Sequence, residues 1–185
     1  MKKKIITLAG DLASGKGTVS SLLSKDLNYE IYKNGDYVRK LAKEKGLSVT
    51  SYNEYLKDHP EIDREIEQSA AKYAENHQNL IVDARLGWYA IPDSFKVYMK
   101  VDIDVAAKRA FEDKNRKETE SFSTLEEHKQ DIMRRYKLEN ERFFKLYGVR
   151  KDDMSNYDLV INTTNITPEE AKEIIKNEYK KWLEN

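Results

Sequence analysis

The chain has 185 residues, of which 39% are hydrophobic and 36% charged, and its 33 basic side chains balance 33 acidic ones. That length suits one domain with a real core, and zero net charge excludes a nucleic-acid binder that works through bulk basic charge, although a local basic pocket stays open. With no cysteine, disulfides and thiolate metal centres are excluded, and the single, scattered His59, His77 and His128 do not suggest a zinc site.

Met1-Lys2-Lys3-Lys4 carries the charge of a signal-peptide start, but the apolar run after it ends at Ala9 and Asp11 interrupts it. No stretch approaches the roughly 20 apolar residues of a membrane span. A cytoplasmic protein without a membrane or nucleic-acid partner is therefore expected. In chain order, short apolar runs predict strands at 4–9, 29–33, 79–83, 95–101 and 157–162. Between them, amphipathic patterns predict helices at 16–26, 36–45, 61–76, 105–115, 125–147 and 169–183. Thr167-Pro168-Glu169-Glu170 has the chemistry of a helix start, with a hydroxyl cap, proline in the first position and acids in the first turn. This alternation predicts a single α/β domain, a three-layer α/β/α sandwich around a five-stranded parallel sheet. Its core would be 1–33, 78–112 and 124–185, with a helical insertion of two or three helices at 34–77 and a polar loop at 113–123.

Three of the seven glycines fall within Gly10 to Gly17, directly after the first strand. Gly10-Asp11-Leu12-Ala13-Ser14-Gly15-Lys16 fits G-x-x-x-x-G-K, in which backbone N–H groups curl around phosphate oxygens. The helix behind the loop adds its N-terminal partial charge and the lysine reaches the outer phosphates. Gly17 stands where a serine or threonine usually ligates magnesium, and the hydroxyl comes one place later, at Thr18.

Asn79-Leu80-Ile81-Val82-Asp83 reads as a buried strand ending in an acid, which places Asp83 near a nucleotide-borne magnesium ion. Ala84 and Arg85 follow without a water-activating glutamate, and no N-K-x-D guanine motif is present. Phosphoryl transfer gathers negative oxygens and needs converging cations. Arg39 lies near the start of the helix after the second strand, Arg85 follows the third strand at the ligand-binding edge, and Arg109 and Arg116 flank the entrance to the polar loop. On helix 125–147, Ile132, Tyr136, Phe143 and Tyr147 form an apolar stripe with Arg135 and Arg142 along its edge, while Arg134 points away. Arg135 and Arg142 are thus phosphate-ligand candidates and Arg134 a surface charge.

Together these segments resemble the cytidylate kinases, in particular their short archaeal-type form, over nearly the whole length. The likeness is carried by "GDLASGKGTVSSLL", "NGDYVRKLAKEKGLS", "HPEIDREIE", "LIVDARLGWY", "RRYKLENERFFKLYGV" and "YDLVINTTNITPEE". Asp11 and Ala13 depart from it, since proline and glycine are frequent there in the family, as do Gly17-Thr18 and Ala84. The resemblance implies the P-loop-containing nucleoside triphosphate hydrolase fold and transfer of the ATP γ-phosphoryl group to CMP or dCMP with Mg2+, by a monomer or homodimer. Residues 34–77 would bind the monophosphate and 113–123 would be a short lid. Gly10, Ala13, Ser14, Gly15, Lys16, Gly17 and Thr18 would hold ATP, while Arg39 and Arg85 clamp the acceptor phosphate. Lys16, Arg85, Arg116, Arg135 and Arg142 would serve the transferring group. Thr18 and Asp83 would serve the magnesium ion, Asp83 through water, and Asp63 and Arg64 the cytosine ring. Two other readings are another small-metabolite kinase on this scaffold, adenylate- or shikimate-kinase-like, and a nucleotide-binding module with little catalysis.

Overall fold

The structure, a computed structural model, describes residues 3–113 and 124–184. Of the predicted polar loop only Asp113 falls within that range, so the lid and Arg116 lie outside the described residues. In chain order the elements are β1 (Ile5–Gly10), α1 (Lys16–Leu27), β2 (Glu30–Lys33), α2 (Asn34–Glu44), α3 (Val49–Tyr55), α4 (Pro60–Glu75), β3 (Leu80–Asp83), α5 (Gly87–Ala90), β4 (Phe95–Lys100), α6 (Ile103–Glu112), α7 (Leu125–Tyr147), β5 (Leu159–Asn162) and α8 (Pro168–Glu184). The predicted strands and longer helices are all present. The short α3 and α5 are resolved only in three dimensions.

The five strands run parallel in the order β2-β3-β1-β4-β5. Alternation along β1 divides the core as a pleated strand must. Ile6 and Leu8 pack with Val19 and Leu23 of α1 and Ile175 and Tyr179 of α8 on one face. Ile5 turns to the other, where Leu80 and Val82 meet Ala70 and Ala74 of α4. Helices on both faces make a sandwich, and fully buried Leu80-Ile81-Val82 is what a central parallel strand requires. The 34–77 insertion has a small core of its own, Ala42, Tyr52, Leu56 and Ile66.

Helix ends follow side-chain capping. Thr124 and Glu127 form a reciprocal capping box at the start of α7, and Gly148 closes that helix in the left-handed conformation at φ 69°. Thr167 and Glu170 exchange the same pair of bonds before Pro168. Asp102 caps α6 by accepting from the backbone N–H groups of Asp104 and Val105, which moves the start of that helix ahead of its predicted position. None of the described helices is long and apolar enough to cross a membrane.

At the end of β1 the chain passes too close to β4 for any side chain. A Cβ on Gly10, whose φ is 150°, would stand 2.3 Å from the Met99 carbonyl oxygen. Gly10→Ala therefore has to displace two central strands, and we expect a loss of about 2–4 kcal/mol. Urea unfolding of the variant checks this through a lower midpoint at unchanged slope.

Candidate active site

The first turn of α1 and the loop before it line a cleft of about 450 Å³ at the carboxyl edge of the sheet, within the range of small-molecule sites. Leu12, Ala13, Ser14, Gly15, Lys16, Gly17 and Thr18 form its floor. The loop needs left-handed backbone at two places, Gly15 (φ 90°) and Ala13 (φ 58°). At Ala13 the chain accepts that conformation without a glycine. Lys16 Nζ reaches back over the loop, donating to the carbonyl oxygens of Asp11 (3.0 Å) and Gly10 (3.3 Å).

Asp11 does not place its charge among the phosphate-binding amides. Its Oδ1 accepts from the Tyr98 hydroxyl at 2.7 Å and its Oδ2 from the Val101 N–H at 3.0 Å, while its own N–H donates to Met99 O at 2.9 Å. The carboxylate is a staple between the loop and β4. From the other side, Thr163 Oγ1 lies 2.9 Å from both Ser14 O and Lys100 O, which ties the loop to β4 and β5.

Of the predicted site residues, the structure brings Lys16, Thr18, Arg39, Asp83 and Arg85 to this one cleft. Arg109 joins them, with Nη2 donating to Thr163 O at 2.9 Å. The opposite wall is Thr163, Ile166, Thr167, Pro168 and Ala171, from the turn into α8. Gly17 and Thr18 are exposed at the mouth.

Arg135 and Arg142 do not stand over the loop. They are 2% and 7% exposed, more deeply buried than an edge position predicts, and line a second, smaller cavity between the helical insertion and α7. That cavity shares Gly35, Arg39, Asp83 and Arg85 with the first, so the two chambers meet at these residues. Arg142 is held by Asp63 through Nε and by Asn53 Oδ1 at 2.7 Å through Nη1. Arg134 is exposed and pairs with Glu54, as the helical wheel requires. Asp63 and Arg64 separate: Asp63 is buried in the second cavity, whereas Arg64, one residue and about 100° further round α4, is exposed and lines neither chamber.

Glu139 was not visible as a site residue in the sequence. It is 3% exposed, and its Oε2 bridges Lys151 Nζ at 2.5 Å and Arg85 Nε at 2.7 Å. Burial alone would raise its carboxyl, but Arg85, Lys151 and Arg135 outweigh that and hold it well below the usual range. The signal was present as His128, Asp131, Arg135, Glu139 and Arg142, a polar stripe at helical spacing whose members are all buried.

A loop of this form, a strand-end aspartate and arginines converging from separate segments define a P-loop phosphotransferase, an enzyme that moves a phosphoryl group from ATP. The model of the cytidylate kinase-like family matches residues 5–165, and the chain belongs to that family. It is 36% identical over 177 residues to the cytidylate kinase of Thermoplasma volcanium, covering 93% of this chain and 89% of that one. It is also 35% identical over 182 residues to an S-adenosylmethionine-dependent nucleotide dehydratase of Lacinutrix mariniflava, covering 98% of this chain but 37% of the longer protein. Among solved structures, the shikimate kinase of Bacteroides thetaiotaomicron superposes with a TM-score of 0.59 at 15% identity, over 97% of this chain and 96% of that one. That last likeness is one of fold. The chain is thus an ATP-dependent kinase of the nucleoside monophosphate type.

The Glu139 bridge predicts a pH signature. Its folded pKa lies below the ordinary value of 4.5, so its stabilisation is complete above that value and is lost as the pH falls below it. We expect Glu139→Gln to remove the carboxylate that Arg85 and Lys151 share, leaving the Lys151 ammonium buried beside a neutral amide, and to cost about 3 kcal/mol at pH 7. In thermal melts that is a fall of roughly 6–12 °C at pH 7, with the gap to the unsubstituted protein narrowing from pH 5 to pH 3.

Proposed function

We propose that the chain transfers the γ-phosphoryl group of ATP to CMP or dCMP, giving ADP and CDP or dCDP. The observation that carries this reading is the pair of chambers joined at Arg39, Asp83 and Arg85, one floored by the phosphate loop and the other closed by the insertion. Two nucleotides placed end to end across that junction would bring donor and acceptor phosphates together. The named activity of the Thermoplasma volcanium relative supports the choice of a cytidylate acceptor.

In this arrangement the loop amides from Ala13 to Thr18, with Lys16, hold the ATP phosphates, and Gly10 sets the turn beneath them. Arg39 and Arg85 stand where the acceptor phosphate meets the transferring group. Arg39 is steadied by Asp36 at 2.7 Å and Arg85 by Glu139. The attacking oxygen is already anionic, so positioning and charge neutralisation supply the acceleration and no general base is required. Arg135 and Arg142 act from the acceptor side, and Arg116 belongs with them as a lid cation. Residues 34–77 are the monophosphate-binding part. At about 60 Å³ the second chamber is below the roughly 300 Å³ at which ligand clefts begin. Acceptor binding therefore parts the insertion from α7, against the buried Asp63–Arg142, Asn53–Arg142 and Thr50–Asp131 contacts.

The residues fit a magnesium ion carried by the nucleotide. The described residues contain no grouping of three or more His, Asp or Glu side chains that could cage a metal ion, and Mg2+ held largely by phosphate and water needs only one or two protein oxygens. Asp83 and the Thr18 hydroxyl, both lining the first chamber, would supply them. An ion held by them would supply charge neutralisation to the ATP phosphates.

A coupled assay with ATP against CMP, dCMP, UMP, AMP and shikimate tests the reading. CMP and dCMP should lead clearly; AMP or shikimate leading would overturn the acceptor class, and slow turnover of all five despite ATP binding would leave a binding module. Lys16→Ala should lose ATP binding and turnover together. Arg85→Ala should lower kcat by about 10²–10³-fold while ATP binding, measured by calorimetry, stays within a few-fold.

A further inference from the structure

Three side chains that line the second chamber bury acceptor atoms without a donor. Asn34 Oδ1, Asp63 Oδ1 and Glu67 Oε2 are all buried and have no hydrogen-bond partner among the described residues. The three side chains line one cavity and belong to residues 3%, 1% and 8% exposed. Asn34 Nδ2 donates to Ile66 O at 3.4 Å, so Oδ1 is the end of that amide without a partner. A buried acceptor left without a donor costs roughly 1–3 kcal/mol, so three in one cavity point to a ligand that brings N–H groups.

We propose that Glu67, together with Asn34 and Asp63, reads the amino-bearing edge of the acceptor's cytosine ring. This inference rests on the cytidylate reading above and deepens it by naming a specificity-determining residue. Cytosine presents N4–H2 as a donor beside N3 as an acceptor. A carboxylic acid presents C=O and O–H side by side, so Glu67 in its protonated form matches both: N4–H donates to its carbonyl oxygen and its O–H donates to N3. The second N4–H is left for Asp63 or Asn34. An ionised Glu67 offers only acceptors and would oppose N3.

The surroundings favour the protonated form. Burial, reinforced by the charges of Asp63 and Glu139, pushes the Glu67 carboxyl up to about 8 against the pull of Arg142 and Arg85. The charged and titratable groups that face it are Asp63 on its own helix, Arg142, Glu139, Arg135 and Tyr147 on α7, Arg39 on α2, and Asp83 and Arg85 at the end of β3.

Steady-state kinetics of Glu67→Ala and Glu67→Gln test the assignment. Glu67→Ala should raise KM for CMP by about 10–100-fold and flatten the CMP-over-UMP preference, with KM for ATP little changed. Glu67→Gln, whose amide restores an adjacent donor and acceptor, should recover most of that loss. The unsubstituted enzyme's KM for CMP should climb above about pH 8, and the Gln variant should lack that climb. Thermal melts identify any variant that has not folded, and the pH profile of the unsubstituted enzyme then carries the test alone. If Glu67→Ala uses CMP as the parent does, or if KM for CMP is flat from pH 6.5 to 9.5, the Glu67 assignment is wrong while the cytidylate reading stands. Failure of the unsubstituted enzyme to phosphorylate CMP would remove both.

Discussion

The carboxylate of Glu139 sits where three parts of the chain must agree. It is buried midway along α7, receives Lys151 from the segment beyond that helix, and receives Arg85 from the end of β3. An isolated carboxylate at that depth would be prohibitively costly, and two cations within hydrogen-bonding distance make it tolerable. The same bridge fixes where Arg85 stands. Arg85 gives its Nε to Glu139, and its side chain lines the junction of the two chambers. That contact narrows the rotamers open to a long arginine at a strand end, as the proposed role of Arg85 requires, since a catalytic cation has to be placed before the reaction rather than during it.

The phosphate loop depends on a second constraint of the same kind. A chain that bends its amides inward leaves carbonyls and flanking side chains to be satisfied outside. Tyr98, Val101 and Thr163 do this, with Asp11 as the connecting residue. An acid beside a phosphate site is electrostatically unwelcome only if its charge faces the phosphate. Here two donors hold it against β4, and the departure from the family pattern becomes a brace. Gly10 makes the same point in steric terms, because the loop can begin there only if nothing projects towards Met99.

The acceptor side is built differently. Its polar groups are buried and paired in part, Arg142 with Asp63 and Asn53, while the acceptors of Asn34 and Glu67 lack donors among the described residues. Such a chamber is costly when closed upon itself, which accords with the proposal that it opens to take a polar acceptor. The insertion has its own small hydrophobic core in Ala42, Tyr52, Leu56 and Ile66, while Ala70 and Ala74 further along α4 anchor it to the sheet.

Much of this was legible in the residues alone. Local signals are sufficient for β1, the phosphate loop and α1, because the apolar run, the glycine spacing and the lysine act through neighbouring backbone. The parallel sheet followed from the alternation of apolar runs with amphipathic segments, α7 from its apolar stripe and α8 from its capped start. The class of reaction followed from the loop and the arginines. What the sequence could not reveal was which of its many charges are buried. Arg134 and Arg135 differ by one position; one lies in solvent and the other in the interior, and Glu139 reads as an ordinary surface acid until Lys151 and Arg85 are seen to meet it. Asp11 looked like a liability for want of its partners on β4. Local propensity and periodicity depend on near neighbours, and the chain states those directly. The charge state and orientation of a polar side chain depend on desolvation and on partners many tens of residues away, and only the packed structure brings those together.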